Sequence, residues 1–361
     1  MQEKRFLLLF KVCAQLRVVT LVVLSIIQIG LNAVEAQELR FVQSFASPLL
    51  VNPAMTGDIP GRFRVSLIHR NQWSPALGAP IVSYAFGGDA RFQIKGKSDY
   101  FALGILFFSD RFASYQTHIN HMSVSTAYNK QINRNSSLQA GMHLGVSQRG
   151  VNYENFTFED QFDGIKKYNQ PSAEILPPNS LAHPELAFGL QFKTRYNKGR
   201  SFYIGTSGYH LIKSQVSYFS KIEDNNVPFS KENYLYRRFH VYAGLVVEQD
   251  KMRYNPSIKL ASQGPLKDIS LGGTIRRQFY DARLSAFYLG AWVIGGNNGS
   301  QFGLKSIAAM VGTELNGLII GLSYDQLLHD YFKGVGGMVG FELSMTYIGN
   351  YENDFNFCPT F

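Results

Sequence analysis

The sequence predicts an all-β protein: a transmembrane, antiparallel, up-and-down β-barrel of about 14 strands. Three observations predict it. Apolar and polar residues alternate along one segment after another. The segments are even in number, and most run near the ~9–11 residues that a tilted strand needs to cross a bilayer. The connections between them sort by length in the way that outer-membrane barrels sort theirs.

The elements follow in chain order. Residues 1–36 have the form of an export signal. Lys4, Arg5, Lys11 and Arg17 are basic, Val18–Gly30 is nearly all apolar, and Ala33-Val34-Glu35-Ala36 places small residues where a signal peptidase reads them. Cleavage is expected between Ala36 and Gln37. The apolar run is shorter than the ~20 residues of a membrane-crossing helix. Residues 37–61 are expected to be an N-terminal extended segment, 62–348 the barrel, and 349–361 a C-terminal tail.

Within the barrel, 62–70 sets Phe63, Val65 and Leu67 against Arg62, Arg64, Ser66 and Arg70. Residues 138–147 set Leu138, Ala140, Met142, Leu144 and Val146 against Gln139, Gly141, His143, Gly145 and Ser147. In 317–325, Leu318, Ile320, Leu322 and Tyr324 oppose Gly321, Ser323 and Asp325. In 338–347, Val339, Phe341, Leu343, Met345 and Tyr347 oppose Gly340, Glu342, Ser344 and Thr346. Further strands are expected at 81–90, 100–108, 118–128, 185–194, 200–208, 238–247, 254–261, 268–277, 283–291 and 304–312. The even-numbered connections are short: 91–99, 129–137, 195–199, 248–253, 278–282 and 313–316. The long ones, 148–184, 209–237, 292–303 and 326–337, all fall among the odd-numbered. With both termini in the periplasm, short turns lie inside and long loops outside. A soluble sandwich also alternates, but has no reason to sort its connections.

Composition agrees. Charged residues are 17% of the chain, below the ~25% of an average globular protein, and aromatics are 14%. The formal charge is +9. In an exported chain that points to anionic lipid headgroups, glycans or an acidic protein rather than to nucleic acid. Beyond Cys13 in the leader, Cys358 has no internal cysteine to pair with.

One stretch carries a resemblance. Gln37-Glu38-Leu39-Arg40-Phe41 opens the expected mature chain, then Asn52-Pro53-Ala54-Met55-Thr56-Gly57, Arg70-Asn71-Gln72-Trp73 and Pro80–Tyr84 running to Asp89. This resembles the opening of PorP/SprF proteins of the type IX secretion system: a Q-x-x-x-F start, an N-P-A-x-x-G turn, an R-x-Q-W element and a strand ending in Asp. Met55 stands where the family usually has an aromatic. Ser109-Asp110-Arg111, Leu138–Val146 with Tyr153–Asp163, Phe202–Gly205 through His210-Leu211, Pro256-Ser257, Ser323–Asp325 and Gly340–Glu342 are similar to later family elements. The resemblance covers essentially the whole mature chain. It implies an outer-membrane barrel in type IX secretion and, in some members, gliding. The implied partners are outer-membrane lipid, a large type IX-secreted surface protein with its C-terminal domain, and periplasmic ring or lipoprotein components. It also implies a Bacteroidota source.

No catalytic or cofactor-binding constellation is present: the chain has no G-x-S-x-G, no H-E-x-x-H and no phosphate-binding loop. Gly334-Val335-Gly336-Gly337 precedes a strand and is expected to be a loop. His118 and His121 are three apart in a strand and cannot share a metal. Asp160 and Asp163 could bind calcium, although a solvated loop explains them more simply. The candidate docking residues are Asn52, Pro53, Gly57, Arg70, Gln72 and Trp73. Asn52–Gly57 is either a tight turn into the first strand or a partner contact, because Pro53 fixes φ and Gly57 admits φ > 0. Trp73 is either an interface anchor or part of the site. Arg70 and Gln72 are expected to bind the N-terminal segment or a substrate strand through charge-assisted hydrogen bonds. Arg62, Arg64, Gln139, His143, Arg276, Asp325 and Glu342 are expected to face the lumen. Opposite charges there would pair and stiffen or plug the barrel, since unpaired buried charges are expensive; a solute pathway is the alternative. The aromatics of 148–184 and 209–237 either contact a partner or fold onto the barrel mouth.

Overall fold

A computed structural model describes residues 41–74, 80–112, 116–174, 176–218, 233–279, 285–298, 301–328 and 339–349. The export signal, Gln37–Arg40, Phe219, Phe229, Gly334–Gly337 and Cys358 lie outside the described residues, as does the side chain of Trp73. Fourteen antiparallel strands form one closed ring in chain order. They are β1 (Phe63–Ser74), β2 (Ile81–Gln93), β3 (Tyr100–Phe112), β4 (Thr117–Asn133), β5 (Ser136–Val151), β6 (Ser180–Asn197) and β7 (Arg200–Tyr209). Then come β8 (Arg238–Gln249), β9 (Met252–Gln263), β10 (Leu266–Gln278), β11 (Ala286–Asn298), β12 (Gln301–Leu315), β13 (Leu318–Leu327) and β14 (Val339–Gly349). Each strand pairs with the next, and β1 with β14 closes the ring from Phe63↔Gly349 upward.

Hydrocarbon offers no partner to a peptide N–H or C=O, so a spanning sheet must have no free edge. The alternation then sorts side chains by face. Leu67, Ile105, Val124, Leu144 and Leu322 point outward and are exposed, while Ser66, Leu106, Ser125, His143 and Ser323 point inward and are buried. Outward aromatics stand at both rims. Phe92, Phe101 and Tyr128 sit side by side in register at one end. Tyr84, Tyr324 and Phe341 are outward at the other, the last two 5.2 Å apart. An apolar band between aromatic girdles is the exterior of an outer-membrane barrel.

Most strands run past their expected ends. The expected long loop 292–303 is a correction: β11 continues to Asn298 and β12 begins at Gln301. In Gly295-Gly296-Asn297 the apolar signal has faded, but backbone pairing to Leu304, Gly303 and Phe302 continues. The expected turns 129–137 and 313–316 likewise shrink to residues 134–135 and 316–317. At Asn316-Gly317 both φ values are positive, +49° and +84°, the requirement of the tightest hairpin turn. The long connections 152–179, 210–237 and 328–338 share one end of the ring, called here the loop end.

Replacing Leu144, outward in the middle of β5, by arginine is expected to destabilise the barrel in lipid vesicles by about 2–4 kcal/mol. Urea unfolding of the two proteins in the same vesicles checks this.

Candidate functional site

Residues 41–61 lie inside the ring. They coil through two short 3-10 turns, Pro48–Leu50 and Pro53–Met55, and enter β1 at the end opposite the long loops. Pro53 and Ala54 are buried, and Asn52 and Thr56 are fully enclosed.

The first anchor is Glu342 on β14, 1% exposed. Its carboxylate accepts the amides of Val42 at 2.7 Å and Gln43 at 3.0 Å. Arg70 on β1 ion-pairs with the same carboxylate and donates to Asp325 on β13 at 3.0 Å. Gln72 accepts from Arg70 Nε at 2.9 Å. Arg70 therefore holds the segment through Glu342 rather than directly, and Gln72 orients Arg70. The Gln43 side chain completes the anchor: its amide donates to Ser323 Oγ at 3.1 Å, and its carbonyl accepts from Ser344 Oγ at 2.6 Å. Either side of this anchor, Phe41 and Ala46 pack on Ile68 and Ala85, and Val42 packs on Trp292, Ala308 and Met310.

The second anchor is Asn52. Its amide nitrogen reaches Tyr242 Oη at 2.9 Å and the carbonyls of Leu190 at 3.0 Å and Thr206 at 3.2 Å, while its Oδ1 caps Ala54 N at 2.8 Å. Just before it, Ser207 and Tyr209 donate to the carbonyls of Val51 and Leu49, both at 2.6 Å. The wall is cut away to receive this turn. A Cβ at Gly189 would overlap the Asn52 side chain, and one at Gly141 would overlap the Pro53 carbonyl.

The third anchor is Asp89 on β2. Arg64 grips it with two bonds of 2.8 Å, and its Oδ2 accepts Gly57 N at 2.7 Å. Gly57 takes φ +71° and its Cα lies so close to Ala102 that a Cβ would overlap it; both facts call for glycine. Gln139 donates to the Thr56 carbonyl at 2.7 Å, and Lys193 ion-pairs with Asp58.

Of the other residues expected to face the lumen, Arg276 on β10 is half-buried and pairs with Glu314 at 3.0 Å, and Tyr288 donates to that carboxylate at 2.7 Å. Arg62 precedes β1 and is half-buried. His143 belongs to a cluster at the loop end that sequence reasoning did not assemble. His121 Nε2 is 3.2 Å from His143 Nε2, its Nδ1 is 3.0 Å from Glu185, and His210 Nδ1 lies against the other Glu185 oxygen. The inward parity of His143 was legible. Its meeting with the other three depends on the register of β4, β5 and β6 and on the chain just past β7, where His210 sits. Among the described residues, no group of three or more His, Cys, Asp or Glu is arranged to hold a metal.

In loop 152–179 the two aspartates serve the loop itself. Asp163 accepts the amides of Ile165 and Lys166 at 2.8 Å and Lys167 at 3.0 Å. Those backbone donors, Lys167 foremost, hold its carboxyl below the usual carboxylate range. Asp160 accepts Ser172 Oγ and Ala173 N. Phe162 and Tyr168 pack 5.1 Å apart.

Glu342→Ala removes the acceptor of two buried amides and one partner of Arg70, a loss of roughly 3–5 kcal/mol. The expected readout is cleavage of the N-terminal segment by protease in intact micelles, absent in the parent. Gly189→Ala is expected to expose the same segment by overlap with Asn52, while leaving β-sheet circular dichroism unchanged.

The sequence profile of a family described as type IX secretion system membrane protein PorP/SprF matches residues 33–347. No curated protein matches the chain. Among solved structures, the fold is similar to a mutant of the TodX monoaromatic hydrocarbon channel, with TM-score 0.51, 9% identity, and 84% of this chain and 94% of that one covered. It is also similar to the CymD monoaromatic hydrocarbon channel, with TM-score 0.50, 10% identity, and 85% and 93% covered.

Proposed function

The chain belongs to the PorP/SprF family of type IX secretion system membrane proteins, and from that premise we propose that it is a closed outer-membrane platform that helps export or anchor a large surface protein. The family is one of secretion-system membrane barrels, not of enzymes. In this reading both termini are periplasmic, the long loops are extracellular, and the cargo is a type IX adhesin held through its C-terminal domain.

The observation that carries the reading is the lumen filled by residues 41–59. The segment is bonded to β14 and β13 through Gln43, to β6, β7 and β8 through Asn52, and to β2 through Gly57. A barrel stoppered by its own backbone is suited to stay fixed while other surfaces work. It is poorly suited to pass solutes, which weighs against the porin alternative. The surfaces left to work are the loops. Phe162, Ile165, Tyr168 and Tyr236 are exposed there, and aromatic side chains are enriched where proteins meet. The competing role, a core subunit contacting periplasmic ring proteins, would use the turns at the opposite end.

Two experiments test this. Deleting the gene and labelling intact cells is expected to abolish surface display of a single large adhesin; unchanged display contradicts the anchoring role. Co-purification with ring proteins in place of an adhesin supports the machine role. In planar bilayers the parent barrel is expected to be electrically silent, and a barrel lacking residues 41–59 is expected to conduct. An open parent channel returns the reading to a solute pore.

A further inference from the structure

We propose that the cavity at the loop end of the lumen is a binding site for a carboxylate carried on a small apolar or aromatic body, with Arg149 receiving the carboxylate. The cavity encloses about 290 Å³, near the small end of the about 300–1,000 Å³ typical of ligand sites. Leu50, from the folded-in segment, contributes to its lining, and Phe108, Phe112, Ile119 and Leu235 line it with apolar surface.

Against this apolar lining stands one unanswered cation. The side chain of Arg149, near the end of β5, makes no hydrogen bond or ion pair among the described residues, and its Nε is buried without an acceptor. A buried donor left unpaired is costly. The missing partner is an acceptor delivered from the cavity, and a guanidinium fork matches a carboxylate with two parallel bonds. The two acids that line the cavity do not supply it. Glu185 faces His121 and His210, and Asp110, which has an interaction of its own, leaves Arg149 Nε without an acceptor. Arg238 adds a second positive charge, with its guanidinium 4.8 Å over the Tyr209 ring. The guanidinium selects an anion, and the apolar lining selects an anion with a carbon body over a bare inorganic one. Such a group could come from a free acid or from the end of a peptide chain.

The test is isothermal titration of the purified full-length barrel in detergent micelles, blanked against empty micelles. The probes are 3-phenylpropionate, its amide, and the dipeptide Gly-Phe with a free and with an amidated carboxyl. The acids are expected to bind, and each amide to bind at least about tenfold more weakly, as loss of a charge-assisted pair requires. Tighter binding of the free-acid dipeptide than of 3-phenylpropionate identifies a peptide end as the source; the reverse order identifies a free acid. Arg149→Gln is expected to erase the preference for acid over amide, and Phe112→Ala to weaken acid and amide alike. Equal binding of acid and amide to the parent overturns the proposal, as does absence of binding by all four probes, whether or not the variants fold. The result does not depend on the anchoring role, since adhesin display is scored separately on cells.

Discussion

A strand that crosses hydrocarbon must find every hydrogen-bond partner on a neighbouring strand, and this requirement generates the rest of the molecule. It forces β1 onto β14 and leaves no edge. Closure then creates a second problem. The inward half of the alternating pattern is polar, and once enclosed it is cut off from bulk water. A ring of fourteen strands is too wide for opposite walls to satisfy one another by side chains alone. Residues 41–61 supply the missing partners. Glu342, Gln139, Gln191 and Asn52 are each at most 2% exposed and each is hydrogen-bonded across the junction of segment and wall, Gln191 through Asp58.

The charges inside follow one pattern. Arg70 neutralises Glu342, and that carboxylate also accepts Ser323 Oγ and the amides of Val42 and Gln43. Arg64 neutralises Asp89, and the remaining capacity goes to Gly57. In both, a wall arginine fixes a wall carboxylate so that it presents oxygens to backbone amides of the segment. Ion pairs of this kind set register more than they add net stability. Here they set the height at which the segment sits, and Gly141 and Gly189 set how closely it approaches. A plug held at both ends and at its middle is what the proposed platform role requires.

The wall was legible in the sequence because period-2 alternation is local: Leu138 through Ser147 declares its two faces without reference to any other strand. Strand ends were not legible where pairing outlasts the pattern, as at Gly295–Asn297. The plug was legible only in part. Asn52-Pro53 and Gly57 announce a turn from their own conformational preferences, but nothing local says where the turn is buried. Its partners are remote: Val42 bonds a residue 300 positions away. A signal was present in hindsight. Gly141, Gly189 and Gly321 occupy inward positions on three strands, where a wall facing only water has no need of missing side chains. The cluster of His121, His143, Glu185 and His210 lay beyond reach for the same reason, because parity is local and register is not.

The segment preceding the first strand fills the lumen as folded, hydrogen-bonded structure. Hydrogen exchange of the intact barrel in micelles, read amide by amide, tests it most directly. Val42, Gln43, Ala54 and Gly57 donate to buried oxygens, so their amides should exchange as slowly as those in the middle of β5. Exchange of these four at the rate of an unstructured chain, with β5 still protected, would contradict the account.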